Sequence, residues 1–417
     1  MFFRPTSTTR QMKNSQPLGN FTILDFSQAW AAPIASMMMA DLGADVVKVE
    51  APVLGDQVRQ WTRTDLNGLS PYYLAANRNK RSIVIDLKRP EGRALALDLS
   101  AKADVLLENF RPGVMDRMGL SYAQVQQRNE RIVYCSVSGY GADGPLSGRA
   151  AYDLMIQAEA GLLSVTGQEE GPLVKLGVPI ADVMSANIAA FTILGALLGR
   201  ERSGKGQHLD ISMLEVATTT MAYLLVDYEL SGKKAKPMGS ANQLLAPYQV
   251  YETRTTPMVI GVLSELHWLA FCKAIEKADL AKDSRFSVAA LRVANLAALN
   301  AIIIPVFRER AAQEWQPIFE GAGIACGFVN DVQAVLSHPQ HLSRGFFDQL
   351  EVAGRQFRLP GAPWKLEGRS LPVRPPHHGE QTAEVLGEWL GMSASGIDQL
   401  FRSGVVATND VKETPNV

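Results

Sequence analysis

Short β-branched runs alternate with helix-forming stretches through the first half of the chain, and this alternation restricts the fold more than any other feature. Phe21–Phe26 (FTILDF) reads as a buried strand. Pro33–Gly43 (PIASMMMADLG) follows as a helix opened by proline and closed by glycine. Asp45–Glu50 (DVVKVE) and Ser82–Leu87 (SIVIDL) are the next strands, and a helix runs from Pro90 to Ala103. Asp104–Leu107 and Ile132–Val137 complete the series. Strands separated by helices of this length predict an α/β fold with a parallel sheet and crossover helices.

The middle of the chain is more helical. Leu154–Leu163 and Val183–Arg200 read as apolar helices, the second buried on most faces. A short strand, Gln207–Ile211, precedes a helix over Ser212–Leu230. Ser231–Pro237 (SGKKAKP) then reads as a polar, basic linker. Strands Tyr248–Tyr251 and Met258–Val262, with helices to about Phe319, predict a second, smaller α+β unit. The tail holds strands and turns around Pro360–Pro363, a proline-rich stretch and a helix over Thr382–Leu390.

Composition removes several classes of function. The 417 residues allow two to four domains at ~100–200 residues each. Lys+Arg total 41 and Asp+Glu total 42, so no basic field calls for nucleic acid. An apolar fraction of 47% against 20% charged excludes wholesale disorder. The longest nearly apolar run, Ala186–Gly199, is shorter than the ~20 residues of a membrane span, so no membrane partner is expected. Cys135, Cys272 and Cys326 fit no zinc or redox spacing, and an odd count suits a reducing compartment, here taken as the cytoplasm. Residues 1–20 contain Arg4, Arg10 and Lys13 but no acid, and are expected to form a disordered leader.

Familiar catalytic motifs fail on inspection. The turn after the first strand, Ser27–Pro33 (SQAWAAP), lacks G-x-G-x-x-G, and Trp30 blocks the close approach of a pyrophosphate. Gly199–Gly206 (GRERSGKG) resembles a P-loop but carries Gly206 where a magnesium-binding hydroxyl belongs, and it ends a helix. No G-x-S-x-G is present, and Pro339 separates His338 from His341, so no metal site is expected.

Carboxylates remain. A carboxylate is itself a nucleophile and, ionised at neutral pH, needs no general base. Asp153 opens one predicted helix and Asp182 opens the long apolar one. An Asp at a helix start also caps orphan N–H groups, and the two roles are compatible. Arg78, Lys80, Arg81, Lys88, Arg89, Arg111 and Arg117 recur near predicted element ends, as a solvated face or as a cradle for a phosphate-rich ligand at the sheet edge.

LDFSQAWAAPIASMMMADLGADVVKVE, NRNKRSIVIDLKRPEGRALALDL, ADVLLENFRPGVMDRMGL, SVSGYGADGPLSGRAAYDLMIQAEAGLLSVTG, GQHLDISMLE and GAPWKLEG resemble the class III CoA-transferases, the formyl-CoA transferase/carnitine CoA-transferase family. The resemblance runs from about residue 20 through nearly the whole chain. It implies an interlocked homodimer. A large Rossmann-like domain would comprise 21–225 and 340–417, with a small α+β domain over 226–339 between its parts. It implies transfer of CoA from an acyl-CoA to a free acid, with CoA as substrate and no tightly bound cofactor. The family's nucleophile falls on Asp182. Its CoA contacts fall on Trp30, Ala31, Ile85, Asp86, Leu87, Lys88, Asn109, Phe110, Arg111, Arg117, Ala150, Tyr152 and Asp153.

Departures from the pattern carry information. Trp30 stands where formyl-CoA transferase has an active-site glutamine, which argues against an oxalate–formate pair. Ala51 replaces a CoA-contacting arginine, and only Gly239–Asn242 lies near the place of the glycine-rich loop. Short dicarboxylates such as succinate fit the family, with Arg59, Arg63 or Arg78 as candidates for a distal carboxylate. The related α-methylacyl-CoA racemases use a histidine where Tyr152 stands, and a tyrosine with the ordinary pKa of ~10 suits two-way proton transfer poorly. A non-catalytic acyl-CoA-binding protein is the third reading, opposed by the presence of Asp182.

Overall fold

The computed structural model describes residues 16–62, 66, 69–352, 354–366 and 372–408. The chain divides into two compact units. Of the described residues, the first takes in those within 16–162, 176–226 and 344–408; the second takes in 163–175 and 227–343. Residues 163–175, kept with the large domain in the sequence reading, pack with the second unit. Of the proposed leader, 1–15 lie outside the described residues. Residues 16–20 form a turn whose Leu18 is buried in the core, so this part belongs to the fold.

The first unit is built on a seven-stranded sheet. In chain order its elements include β1 (Thr22–Asp25), α1 (Ala31–Asp41), β2 (Asp45–Glu50), β3 (Lys80–Ile85), α2 (Pro90–Ser100) and β4 (Val105–Glu108). β5 (Val133–Ser138), α3 (Asp153–Glu159), α4 (Ile180–Ser203) and β6 (Gln207–Ser212) follow. The six strands run parallel in the order β3-β2-β1-β4-β5-β6. A two-residue strand, Val406–Ala407, adds antiparallel to the outer edge of β3. Successive side chains point to opposite faces, so both faces are apolar. Ile23, Val46, Val105 and Val133 face α1 and α4. Leu24, Val47, Ile83, Leu106 and Tyr134 face α2 and the C-terminal helices Thr382–Leu390 and Ala394–Ser403.

Helix α4 carries its own packing rule. Ala181, Ser185, Ala189, Ile193, Ala196 and Arg200 fall on one buried stripe at helical spacing. Its small side chains lie in the same core as Ala31, Ala32 and Ala35 of α1. At 24 residues it is longer than the apolar run read from sequence, and by length and composition it matches a membrane span. Here it packs against α1 and the sheet, with Arg200 buried on Asp104 at 2.9 Å. Gly204, at φ 70°, ends it in the left-handed conformation that glycine favours. The expected helix over Ser212–Leu230 is two, Met213–Thr219 and Ala222–Ser231.

The second unit pairs a three-stranded antiparallel sheet, β7 (Tyr248–Tyr251), β8 (Met258–Gly261) and β9 (Ala325–Phe328), with helices around an aromatic core. Phe271, Phe307, Trp315 and Phe319 stack there with centroids 5.3–6.4 Å apart.

Four buried charges cross-link the first unit below the ends of β1 and β2. Lys48 meets Asp56 at 2.9 Å and Lys80 meets Asp25 at 3.1 Å, all four side chains sealed from solvent. Burial pulls the Lys80 ammonium down to about 8 against the opposing charge of Asp25. Removing one member of such a pair strands the other in low dielectric. Lys48→Met is therefore expected to cost about 3–5 kcal/mol in urea unfolding. Arg131→Ala, which breaks an exposed pair with Glu201 and a 3.4 Å bond to the Gly204 carbonyl, is expected to cost less than about 1 kcal/mol.

Candidate active site

Strand order reverses between β1 and β4, and in sheets of this kind the crevice at that point receives the ligand. The loop leaving β1, Phe26–Trp30, is held by side chains from three directions. Lys48 Nζ donates to the Ser27 carbonyl at 2.5 Å. Asp56 accepts from Ala29 N at 3.0 Å. Asn109, just past β4, grips Gln28 through both its N–H and its carbonyl at 2.8 Å. Ala29 sits at φ 63°, a conformation that non-glycine residues reach only when their surroundings impose it. Trp30 follows as the residue before α1. Its ring packs edge-on to Tyr72 at 5.5 Å, and its buried indole N–H has no hydrogen-bond acceptor among the described residues.

The other sequence-proposed positions fall on the same C-terminal edge of the sheet. Ile85 is fully buried and pairs with Val406, so only its backbone faces the edge. Asp86, Leu87 and Lys88 turn into α2, with Asp86 accepting from Lys88 N at 3.0 Å. Phe110 and Arg111 leave β4 and Arg117 follows. Lys88, Arg111 and Arg117 are exposed and form no ion pair among the described residues. Arg89 and Arg93 differ: their guanidinium groups donate to the Ser403 and Leu87 carbonyls. Ala150 and Tyr152 are exposed on the segment after β5. A Cβ at Gly139 would lie 2.4 Å from that of Ala151, so glycine permits this segment to close on the strand end.

Two of the arginines proposed for a distal carboxylate are committed elsewhere. Arg59 is buried and bonded to both oxygens of Glu50, to the Tyr73 hydroxyl and to the Pro376 carbonyl. Although burial alone would raise it, this pairing holds the Glu50 carboxyl down to about 2. Arg78 is likewise buried, on Asp41. Both stabilise the fold and are unavailable to a ligand. Arg63 lies outside the described residues.

Asp182 stands in the first turn of α4, and no described group donates a hydrogen bond to its carboxylate. Burial, and secondarily the charge of Asp153, pushes it up to about 7. Neither Asp153 nor Asp182 caps its own helix, whose preceding residues are Tyr152 and Pro179. Asp153 instead caps α4: its Oδ1 accepts from Ala181 N at 2.8 Å and from Asp182 N at 3.4 Å. Its Oδ2 accepts from Gln157, a buried residue that the sequence reading passed over. The signal was the i, i+4 spacing of Asp153 and Gln157.

Sequence reading also passed over Glu108, at the end of β4. It lines a cavity of about 380 Å³ with Arg111, Tyr122, His208 and Asp210, and burial pushes its carboxyl up to about 7. No group of three or more metal-ligating side chains occurs among the described residues.

A family model described as CoA-transferase family III matches residues 18–382. The chain belongs to that family. It is 34% identical over 412 residues to the succinyl-CoA:glutarate CoA-transferase of Mus musculus, covering 98% of this chain and 94% of that protein. It is 33% identical over 382 residues to the succinate–glutarate CoA-transferase of Agrobacterium fabrum, covering 89% and 95%. The crystal structure of a CAIB/BAIF family protein from Brucella suis superposes with a TM-score of 0.81 at 33% identity, over 90% of this chain and 99% of that one. The protein is thus an α/β enzyme of the class III CoA-transferase type, moving CoA between an acyl-CoA and a free carboxylic acid.

The raised Asp182 carboxyl makes a prediction about stability. Ionising it costs more in the folded chain than in the unfolded chain. Its contribution to stability is therefore fully present below the ordinary carboxyl pKa, near 4, and is lost as pH rises through about 7. Asp182→Asn removes that loss. Its unfolding midpoint in urea should exceed the wild-type value at pH 8, with the advantage shrinking toward pH 4.5.

Proposed function

We propose that this CoA-transferase works through covalent intermediates on Asp182. The carboxylate attacks the thioester carbonyl, a mixed anhydride forms and CoA leaves as thiolate. The thiolate attacks the aspartyl carbonyl of the anhydride, releasing the first acid and leaving an aspartyl-CoA thioester. The acceptor carboxylate attacks that thioester, giving a second anhydride and free thiolate. The thiolate then takes the new acyl group and frees Asp182. Each step exchanges one acyl bond for another, and no proton changes hands on the enzyme. The observation that carries this reading is the half-buried Asp182 carboxylate at a helix start, without a hydrogen-bond donor among the described residues. A carboxylate used only as a cap would be bonded to N–H groups, as Asp153 is.

The CoA phosphates are assigned to Lys88, Arg111 and Arg117, which lack ion-pair partners among the described residues. The rest of CoA is assigned to Trp30, Ala31, Asn109 and Phe110 after β1 and β4, and to Ala150, Tyr152 and Asp153 after β5, a reading supported by the reversal of strand order between β1 and β4 and by the bonds from Asp153 to the start of α4. Succinyl-CoA or another short acyl-CoA is the donor, a reading supported by the names of the relatives. A racemase reading lacks support, because Tyr152 occupies the position of the proton-transferring histidine.

The enzyme acts as a homodimer, interlocked through a large domain built from both ends of the chain. Helix Ala222–Ser231 buries only Leu224 while exposing Tyr223, Leu225, Val226, Tyr228 and Leu230. Phe191 and Leu198 stand 72% and 64% exposed on α4. Apolar surface on this scale calls for a second chain. The cytoplasm is the compartment, supported by three unpaired cysteines.

Asp182→Ala should abolish transfer in a succinyl-CoA exchange assay while calorimetry finds CoA affinity within threefold of wild type. Arg117→Ala should raise KM for the thioester about tenfold, the effect of a lost charge-assisted bond of about 1.5 kcal/mol, with kcat within twofold. Unchanged turnover in Asp182→Ala would refute the nucleophile, and unchanged KM in Arg117→Ala would refute the phosphate assignment.

A further inference from the structure

The segment leading into α4 is tied to α3 by the buried side chain of Gln157. Gln157 has no exposed surface. Its carbonyl oxygen Oε1 accepts from Leu176 N at 3.0 Å, and its amide Nε2 donates to Asp153 Oδ2 at 2.5 Å. The other oxygen of Asp153 receives the N–H groups of Ala181 and Asp182. A continuous chain of bonds therefore runs from the Leu176 backbone through Gln157 and Asp153 to the peptide that carries Asp182. Direction matters in this chain. A carboxylate only accepts, so the side chain at 157 must donate toward Asp153 and accept from Leu176, and a neutral amide does both. A methionine at this position would fill much of the space and do neither.

We propose that Gln157 is a positioning residue for the transfer reaction, holding Asp153 on the start of α4 so that the Asp182 carboxylate is aimed at the face of the thioester carbonyl. This rests on the reading of Asp182 as nucleophile. Gln157 touches neither substrate nor the reacting atoms; it acts through Asp153. Misplacing a reacting group by about 1 Å costs on the order of a hundredfold in rate, so the effect belongs in kcat and not in thioester binding.

The test is Gln157→Glu, alone and with Asp153→Asn, in the full-length enzyme. The first substitution keeps the shape of the side chain but turns a second carboxylate toward Asp153. The single variant should lose at least tenfold in kcat and in the single-turnover rate of Asp182 acylation by succinyl-CoA. Its KM for the thioester should stay within threefold. In the double variant, the introduced asparagine amide donates to the introduced carboxylate while its carbonyl still accepts from the N–H groups of α4. The chain of bonds is then restored with one link reversed, and kcat should recover at least fivefold over Gln157→Glu. A merely structural role would tie activity to melting temperature, so circular dichroism melts of all three proteins accompany the kinetics. Rescue of kcat at an unchanged melting temperature supports positioning. A single variant with kcat within twofold of wild type overturns the proposal, as does a double variant no faster than the single one. Failure of the wild-type enzyme to acylate Asp182 overturns the nucleophile reading and this one with it. Normal wild-type acylation with an unaffected Gln157→Glu overturns this one alone.

Discussion

Asp25, Lys48, Asp56 and Lys80 are shut away from water around the end of β1. Such burial is tolerable only if each charge finds an opposite charge and hydrogen bonds. The two lysines reach for backbone as well as carboxylate: Lys48 for the Ser27 carbonyl, Lys80 for the Pro33 carbonyl. Satisfying the charges thereby fixes the chain between β1 and α1. With Asn109 reaching across from β4, the network makes a rigid wall at the reversal of strand order, where a ligand enters a sheet of this topology.

The second determinant is the apolar character of α4. Its small buried residues draw its first turn down beside α3, and Asp182 is carried with it out of full solvation. Burial raises the carboxyl, and Asp153, needed to cap the same turn, adds to the effect. The capping that stabilises the helix and the perturbation that marks the carboxylate arise from one arrangement. A desolvated carboxylate without its usual donors is poorly stabilised as an anion, a state suited to attack on a thioester.

Much of this architecture is legible in the sequence. FTILDF, DVVKVE and SIVIDL are short β-branched runs, and intervening helices of sufficient length leave a parallel sheet as the solution. Asp153 and Asp182 both stand out at helix starts, and only the family resemblance separates them. What escapes is set by residues distant in the chain. Val406–Ala407 is too short to show a period and becomes a strand only because β3 offers an open edge. Arg59 and Arg78 look like free cations until Glu50 and Asp41 are seen beside them. Gln157 acquires a role only when Leu176 folds back upon it. Thr220 and Met221 divide a segment that reads as one continuous helix, and nothing in its periodicity marks the break.

The most direct test is peptide mass spectrometry of the enzyme incubated with succinyl-CoA in the absence of acceptor acid. The account predicts an acyl or CoA adduct on the peptide containing Asp182, absent from Asp182→Ala. An unmodified Asp182 peptide, with deuterium from solvent appearing at the acyl α-carbon, would contradict it.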